Sequence, residues 1–201
     1  MINQQLGVLL PCRISLNQLT EMINKSKYIK LAEQLYTDQL INKASSIELL
    51  AFDVDGVLTD GGLYFDYNGD ESKRFHAQDG HGIKILQSID IDIMIISGRY
   101  SRCVEQRGKE LGIERIIQGS RDKLKSFHEQ NINLPKEKIC YVGDDTVDVE
   151  LLQYSGLSVI VPNANPILNL LNFDWVTPRK GGYGAIRDIC DLIYFSKIIN
   201  A

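Results

Sequence analysis

From Ile47 onwards, short apolar runs alternate with longer amphipathic stretches. This alternation is typical of a parallel sheet with crossover helices, because strands that are covered on both faces read as continuous apolar runs. The predicted strands are 47–52, 91–96, 115–117, 138–142 and 157–161, and the predicted helices between them are 80–89, 101–111, 122–130 and 146–154. We therefore predict an α/β fold with a doubly wound, Rossmann-like parallel sheet.

Two segments interrupt or follow this alternation. Residues 62–65 and 71–75 flank the turn sequence Asn68-Gly69, which is typical of a β-hairpin. We therefore predict a hairpin inserted after the first strand. The tail over 183–199 has apolar residues at helical spacing and is predicted to be a helix.

The N-terminal segment carries no chemical motif. Apolar residues recur at near-helical spacing over 15–45, which predicts a helical arm. With 201 residues, the chain is long enough for one domain of about 150 residues and such an appendage. We predict an arm over 1–46 and a single α/β domain over 47–201.

The net charge and the apolar pattern limit the partners of the chain. A net charge of -4 leaves no excess of Lys and Arg to neutralise a nucleic-acid backbone, so nucleic acid is not an expected partner. No apolar run approaches the roughly 18 residues needed to span a bilayer, and the apolar run at 6–12 lacks the basic leader of a signal peptide. The four cysteines lie far apart without zinc-site spacing. We expect a cytoplasmic protein with reduced thiols and no membrane partner.

The end of the first predicted strand carries two carboxylates. In an open α/β sheet the reactive crevice lies beyond the carboxyl ends of the strands. Asp53 and Asp55 follow the first strand, and their spacing of two places both side chains on one side of an extended backbone. Gly56 allows the backbone to turn close to a ligand. A lone Asp-x-Asp-Gly sequence is more often a simple turn, so the catalytic assignment depends on the other strand ends.

The other strand ends supply groups that suit a phosphate. Ser97 and Gly98 offer a hydroxyl and backbone N–H groups at the start of a helix, and Arg99 adds a positive charge. Lys123, at the head of the next helix, is expected to reach the same phosphate. The segment 143–148 adds a second acidic cluster, although its last carboxylate fits the N-terminus of a helix better than a metal site. Together these groups predict one anion-binding crevice shared by several strands.

Several carboxylates in one crevice imply a compensating cation. An all-oxygen ligand set suits Mg²⁺ rather than zinc, so Mg²⁺ is the expected cofactor. The cation would allow the carboxylate of Asp53 to attack an anionic phosphorus and form an aspartyl-phosphate. Asp55 would protonate the leaving oxygen and later activate water. The residues therefore predict a Mg²⁺-dependent phosphatase.

The region 47–193 resembles the haloacid dehalogenase superfamily. Its four motifs match Asp53-x-Asp55-Gly56, Ser97-Gly98, Lys123 and Gly143-Asp144-Asp145. Further matches are Lys73-x-Phe75, Asp79-Gly80-x-Gly82-Ile83 and Gly181-Gly182-x-Gly184-Ala185-Ile186-Arg187. The resemblance implies an enzyme without a large cap domain that acts on 3-deoxy-D-manno-octulosonate 8-phosphate, a sugar acid of lipopolysaccharide synthesis.

The resemblance also implies which residues bind metal, phosphate and sugar. The implied Mg²⁺ ligands are the carboxylates of Asp53 and Asp144 and the backbone carbonyl of Asp55. The implied phosphate ligands are Ser97, Gly98 and Lys123. The implied sugar contacts are Asp55, His76, Ala77, Gln78, Asp79, Gly80, Lys84, Arg99, Arg107 and Asp145. Such enzymes are homotetramers in which the hairpin and C-terminal tail of one subunit help to close a neighbouring site.

The chain departs from this family at positions that bear on the sugar. Gln78 and Lys84 stand where many relatives have Arg, and Tyr183 replaces another frequent Arg. Neither Gln nor Lys reproduces a bidentate guanidinium contact with a carboxylate. A nine-carbon substrate such as N-acylneuraminate 9-phosphate is therefore an alternative. Arg99 favours the eight-carbon acid, because relatives that act on nine-carbon acids often have Glu at this position.

Two non-phosphatase classes are further alternatives. A signalling receiver domain also combines acidic residues, a hydroxyl and a Lys on a doubly wound sheet, but it places its phosphoacceptor on a middle strand rather than the first. A non-catalytic oligomerisation module would not need the motif carboxylates, and here all of them are present. Both features favour the enzyme.

Overall fold

A computed structural model of the chain describes residues 27, 29, 30 and 32–200. Within this range one sheet contains six parallel strands in the order β5-β4-β1-β6-β7-β8. The strands are β1 (Leu49–Phe52), β4 (Asp92–Ile96), β5 (Arg115–Ile117), β6 (Ile139–Gly143), β7 (Leu157–Ile160) and β8 (Trp175–Val176). The hairpin strands are β2 (Tyr64–Phe65) and β3 (Glu71–Ser72).

Helices cover both faces of this sheet. They are α1 (Asp38–Ser45), α2 (Ala77–Gln87), α3 (Arg102–Leu111), α4 (Lys123–His128), α5 (Val149–Tyr154) and α6 (Ala185–Ile199). Residues 32–35, before α1, are also helical. Short 3₁₀ helices are Lys136–Lys138, Thr146–Asp148 and Pro166–Leu170. The predicted doubly wound α/β fold is confirmed, and no large cap is present among the described residues. None of the described helices is both long and apolar enough to cross a membrane.

The structure differs from the sequence predictions mainly at element ends. The hairpin strands are only two residues long each, and an isolated bridge between Thr59 and Phe75 continues their pairing. The predicted helix 146–154 begins as the 3₁₀ helix Thr146–Asp148, and Asp145 caps this first turn. The strand β8 was not predicted, since two residues give no detectable alternation.

The N-terminal arm is described only in part. The helix α1 begins after Thr37, whose hydroxyl accepts a hydrogen bond from the N–H of Leu40 at 3.3 Å. Leu40 and Ala44 are buried in the same core as α6, and Lys197 of α6 donates to the carbonyl of Ser45. The end of the arm therefore packs against the α/β domain. Of the helical arm predicted over 15–45, residues 15–26, 28 and 31 lie outside the described residues.

The core has two apolar layers, one on each face of the sheet. Along β1, Leu50 and Phe52 belong to the layer under α2 and α6, whereas Leu49 and Ala51 belong to the layer under α4 and α5. This alternation follows from the pleat, which points successive side chains to opposite faces. Burial on both faces explains why the strands read as continuous apolar runs.

The strand order places a crevice beside β1. The chain runs from β1 outward to β4 and β5, and then crosses to β6 on the other side of β1. Because all strands are parallel, their carboxyl ends lie along one edge of the sheet. The residues after β1, β4 and β6 therefore meet where the direction of winding reverses, which is the usual ligand site of such sheets.

The core prediction can be tested at Leu86. This fully buried side chain of α2 packs in the layer shared with α6. We expect Leu86→Ala to lower the free energy of unfolding by about 2–5 kcal/mol, because it leaves a cavity. Leu170→Ala is the matched control, since Leu170 is 82% exposed, and it should change the free energy by less than about 0.5 kcal/mol. Equal losses in urea unfolding would contradict the assigned core.

Candidate active site

The turn after β1 presents Asp53 at the edge of the sheet. Asp53 is 6% exposed, and its N–H donates to the carbonyl of Val142 at 3.0 Å, which extends the pairing with β6. Gly56 in this turn has a φ of 93°, and a Cβ there would overlap the carboxylate of Asp144. Only glycine combines this backbone conformation with so close an approach. The turn therefore brings the residues after β1 and β6 into contact.

A buried lysine lies between two carboxylates at this edge. Lys123 is the first residue of α4, and its side chain is 1% exposed. Its Nζ lies 3.0 Å from Oδ1 of Asp53 and donates to Oδ1 of Asp148 at 2.6 Å. Burial alone would lower the pKa of Lys123, but the two carboxylates outweigh it and raise the pKa. Lys123 is therefore a fixed positive charge beside Asp53.

Asp148 is saturated by donors inside the protein. Its Oδ1 accepts hydrogen bonds from Lys123 and from the hydroxyl of Tyr141, both at 2.6 Å. Its Oδ2 accepts from the N–H groups of Asp144 and Asp145, both at 3.1 Å. Carboxylate oxygens of Asp53, Asp144 and Asp148 lie within 4.8 Å of one another. Since Asp148 is fully engaged, Asp53 and Asp144 are the carboxylates with oxygens left for a cation.

The electrostatics of this cluster fit a divalent cation. Burial raises the pKa of Asp53 to about 6, with Lys123 opposing the shift. Burial, together with repulsion from Asp53 and Asp148, raises the pKa of Asp144 to about 8. These shifts indicate negative charge that the protein alone does not compensate. Two buried carboxylates with hard oxygen donors suit Mg²⁺, so the residues fit the expected metal.

In the sheet, β1 lies between β4 and β6. The loop after β4 therefore lies on one side of Asp53, and the acidic cluster after β6 lies on the other side. Ser97 is 2% exposed, and its hydroxyl accepts a hydrogen bond from the N–H of Arg99 at 3.3 Å. The N–H of Ser120 donates to the carbonyl of Ser97, and a Cβ on Gly98 would contact the carbonyl of Ser120. This loop is held by its own backbone contacts at the edge where phosphate is expected.

The hairpin contributes a charged cluster around Asp55. Lys73, with a side chain that is 1% exposed, donates a short hydrogen bond to Asp55. Arg99 lies 3.4 Å from Asp55 and 2.8 Å from Glu71, and Lys73 lies 3.5 Å from Glu71. Sequence reasoning assigned no role to Lys73 or Glu71. Their spacing of two within the segment predicted as a strand over 71–75 was the available signal, because it puts both side chains on one side of an extended backbone.

The glycine-rich segment before α6 closes the site from another side. Asn163 donates to the carbonyl of Gly56 at 2.8 Å and accepts from the N–H of Gly181 at 2.8 Å. A Cβ on Gly181 would overlap the carbonyl of Gly56. Asn163 was also missed, although it follows β7 and the strand-end rule could have included it. It ties the turn after β1 to the C-terminal segment.

The candidate sugar contacts at 76–80 lie at the start of α2 against the C-terminal segment. Asp79 is fully buried and its Oδ1 accepts from the N–H of Arg187, while burial raises its pKa to about 6. Gln78 accepts from Arg179 at 2.7 Å. Ala77 is exposed, and Nδ1 of His76 is buried without a hydrogen-bond partner among the described residues. Among the described residues, none of these five forms a hydrogen bond or an ion pair with Asp53.

The remaining candidate contacts are engaged locally. Lys84 donates to the carbonyl of Leu111 at 2.6 Å and thereby caps α3. Arg107 pairs with Glu110 at 2.9 Å and lies against Gly80, where a Cβ would overlap its guanidinium. Asp145 accepts from the N–H of Thr146 at 2.7 Å and from Asn165 at 2.9 Å. Sugar binding by these three side chains stays a prediction.

Comparison with known sequences identifies close relatives. The family described as haloacid dehalogenase-like hydrolase matches residues 120–181. The 3-deoxy-D-manno-octulosonate 8-phosphate phosphatase of Yersinia pestis is 40% identical over 177 residues, which are 87% of this chain and 94% of the relative. The similarity therefore extends well beyond the four short motifs.

Comparison with solved structures also identifies relatives among these phosphatases. A crystal structure of the Yersinia pestis phosphatase has a TM-score of 0.78 and 42% identity, and the alignment covers 81% of this chain and 88% of that one. The phosphatase of Moraxella catarrhalis, solved with a magnesium ion, a phosphate ion and a KDO molecule, has a TM-score of 0.77 and 36% identity over 81% of this chain and 94% of that one. Both solved structures therefore share the fold of this chain.

The close contact at Gly56 predicts a loss of metal binding when a side chain is added. We expect Gly56→Ala to weaken Mg²⁺ binding, measured by calorimetry, at least tenfold, because the methyl group would displace Asp144. Gly69→Ala is the matched control, since Gly69 has a similar φ of 84° and no atom within 4 Å of its would-be Cβ. Both variants should lose about 1–2 kcal/mol of stability from the backbone conformation. Unchanged Mg²⁺ binding by Gly56→Ala would contradict the assigned metal site.

Proposed function

Because the chain belongs to the haloacid dehalogenase-like hydrolases and is a phosphoric monoester hydrolase, we propose that it hydrolyses 3-deoxy-D-manno-octulosonate 8-phosphate with Mg²⁺. The products would be the free sugar acid, used in lipopolysaccharide precursor synthesis, and phosphate. The observation that carries the proposal is the cluster of Asp53, Lys123 and Asp144 at the carboxyl edge of the sheet. This cluster combines a nucleophile, a phosphate ligand and a metal ligand.

The first proposed step is nucleophilic attack by Asp53. Its carboxylate oxygen attacks phosphorus in line with the sugar oxygen, a P–O bond forms to Asp53, and the bond to the sugar breaks. Lys123 and the loop of Ser97 and Gly98 hold the phosphoryl oxygens. Because Lys123 is already fixed 3.0 Å from Asp53, little reorganisation is needed to stabilise the transition state.

Asp55 is the proposed acid and base. It gives its proton to the leaving sugar oxygen, and it then takes a proton from the water that attacks phosphorus and releases Asp53. Lys73 and Arg99 both contact Asp55 and thereby orient it. Glu71 in turn contacts both cations, so the hairpin keeps the group in one arrangement. Water is expected to reach Asp55, whose side chain is 21% exposed.

Magnesium is the proposed cofactor. The carboxylates of Asp53 and Asp144 and the backbone carbonyl of Asp55 would hold it. When bound, Mg²⁺ supplies positive charge that neutralises the carboxylates and the phosphate. The raised pKa values of Asp53 and Asp144 support this proposal, because the protein alone destabilises both carboxylates as anions and a bound cation would stabilise them.

The substrate proposal draws on the relatives and on Arg99. The Moraxella catarrhalis phosphatase was solved with KDO and phosphate, and the Yersinia pestis relative carries the name of the same activity. In this chain Arg99 is held by Asp55 and Glu71 at the mouth of the site, where a fixed guanidinium suits an anionic or hydroxyl-rich sugar acid. The segment 76–80, Lys84, Arg107 and Asp145 are the further proposed sugar contacts.

A homotetramer is part of the proposal. Within one chain, the contacts of Lys84 and of residues 76–80 are with other parts of the fold rather than with Asp53. Contribution of these residues to a neighbouring subunit's site would reconcile their placement with a role in sugar binding. The hairpin supports association, because its apolar side chains are exposed. They are Leu63, Tyr64, Phe65 and Tyr67, which are 52%, 45%, 58% and 97% exposed.

The substrate assignment is tested by comparing two sugar acid phosphates. We expect kcat/KM for 3-deoxy-D-manno-octulosonate 8-phosphate to be at least tenfold higher than for N-acylneuraminate 9-phosphate, in the presence of Mg²⁺. Phosphate release should stop with excess EDTA and return with added Mg²⁺. Hydrolysis of p-nitrophenyl phosphate tests the phosphatase chemistry independently of the sugar. If the enzyme cleaved this compound but neither sugar acid phosphate, the proposed chemistry would stand and the proposed substrate would be wrong. A preference for the nine-carbon acid would also contradict it.

A further inference from the structure

Tyr141 is a buried polar residue outside the proposed catalytic set. It lies in the middle of β6, is fully buried, and belongs to the core layer under α4 and α5. A buried tyrosine hydroxyl needs a hydrogen-bond partner. Here the hydroxyl donates to Oδ1 of Asp148 at 2.6 Å. One hydrogen bond therefore connects the core layer under α4 and α5 to the acidic cluster of Asp53, Asp144 and Asp148.

The hydrogen bond from Tyr141 is important because Asp148 also accepts hydrogen bonds from three other residues. The same Oδ1 accepts from Lys123, and Oδ2 accepts from the N–H groups of Asp144 and Asp145. The carboxylate thus has two donors on each oxygen. Removing one donor from Oδ1 would leave Lys123 as its only partner there, and would draw the ammonium away from Asp53 towards Asp148.

We propose that Tyr141 is a positioning residue of the phosphatase reaction, acting through Asp148 to place Lys123 and the loop that carries Asp144. The inference depends on the function proposed above. The hydroxyl fixes the rotation of the Asp148 carboxylate, because the ring of Tyr141 is itself held in the packed core. With Asp148 fixed, Lys123 faces Asp53 and the N–H groups of Asp144 and Asp145 point at one oxygen.

Packing alone does not explain a tyrosine at this position. A phenylalanine would fill nearly the same space without burying a hydroxyl, which is unfavourable unless it is hydrogen-bonded. Burial and the neighbouring Asp148 raise the pKa of Tyr141 well above its usual value, so the hydroxyl remains a donor at all working pH values. The group is therefore a permanent donor to the carboxylate that holds Lys123.

The test compares two tyrosines of the same core layer. Tyr141→Phe removes the donor to Asp148. Tyr154→Phe removes a hydroxyl that forms no hydrogen bond to a carboxylate of the described residues, from a ring whose centroid lies 5.9 Å from that of Phe127. We expect Tyr141→Phe to lower kcat/KM for p-nitrophenyl phosphate about tenfold and to weaken binding of inorganic phosphate in the presence of Mg²⁺ by about the same factor. Tyr154→Phe should change both quantities by less than about twofold.

A double variant shows whether Tyr141 acts through Asp148. In the Asp148→Asn background, the further change Tyr141→Phe should cost less than about twofold, because the acceptor is already altered. Phosphate binding measured by calorimetry tests the placement of Lys123 even if no turnover is detected. Absence of turnover in the unmodified protein would count against the proposed function, and not against the role of Tyr141. The inference is overturned if Tyr141→Phe binds and turns over within twofold of the unmodified protein, if Tyr154→Phe loses as much, or if the tenfold loss persists in the Asp148→Asn background.

Discussion

The buried ion pairs of Lys123 hold the site together. Burying an ammonium and two carboxylates away from solvent costs free energy. This cost is tolerated only where opposite charges and hydrogen bonds offset it. Lys123 offsets the charges of Asp53 and Asp148, and Asp148 uses its remaining capacity on backbone N–H groups of the loop after β6. The first residue of α4 is thereby fixed to the ends of β1 and β6. The positions of the proposed nucleophile Asp53, the proposed phosphate ligand Lys123 and the loop that carries the proposed metal ligand Asp144 follow from this one set of contacts.

Parts of the chain that are distant in sequence close this centre. Lys73 comes from the hairpin and reaches Asp55, while Asn163 donates to the carbonyl of Gly56 and accepts from the N–H of Gly181. Each contact is made at the rim of the sheet rather than in the core. The geometry shows how a fold without a large cap among its described residues can still bury Asp53 and Lys123. It also links the segment before the C-terminal helix α6 to the turn that follows the proposed nucleophile Asp53.

The sequence predicted those features that depend on one strand or one turn. Apolar runs located the strands, and the strand-end rule brought Asp53, Lys123 and Asp144 to one edge, where the structure places them. Contacts that depend on the path of a long connection could not be predicted from the sequence. The hairpin must fold back over the sheet before Lys73 meets Asp55, and no local pattern specifies that path. Likewise, nothing local shows that Lys84 caps α3 instead of facing a ligand of the same subunit.

Covalent phosphorylation of Asp53 is the central claim, and rapid acid quenching tests it most directly. The enzyme is mixed with substrate carrying ³²P in its phosphate and Mg²⁺, stopped within milliseconds, and digested. We predict a transient label on the protein that is released by hydroxylamine and maps to the peptide containing Asp53, with an amount that rises and falls during a single turnover. Complete turnover without labelled protein, or a label on another residue, would contradict the account.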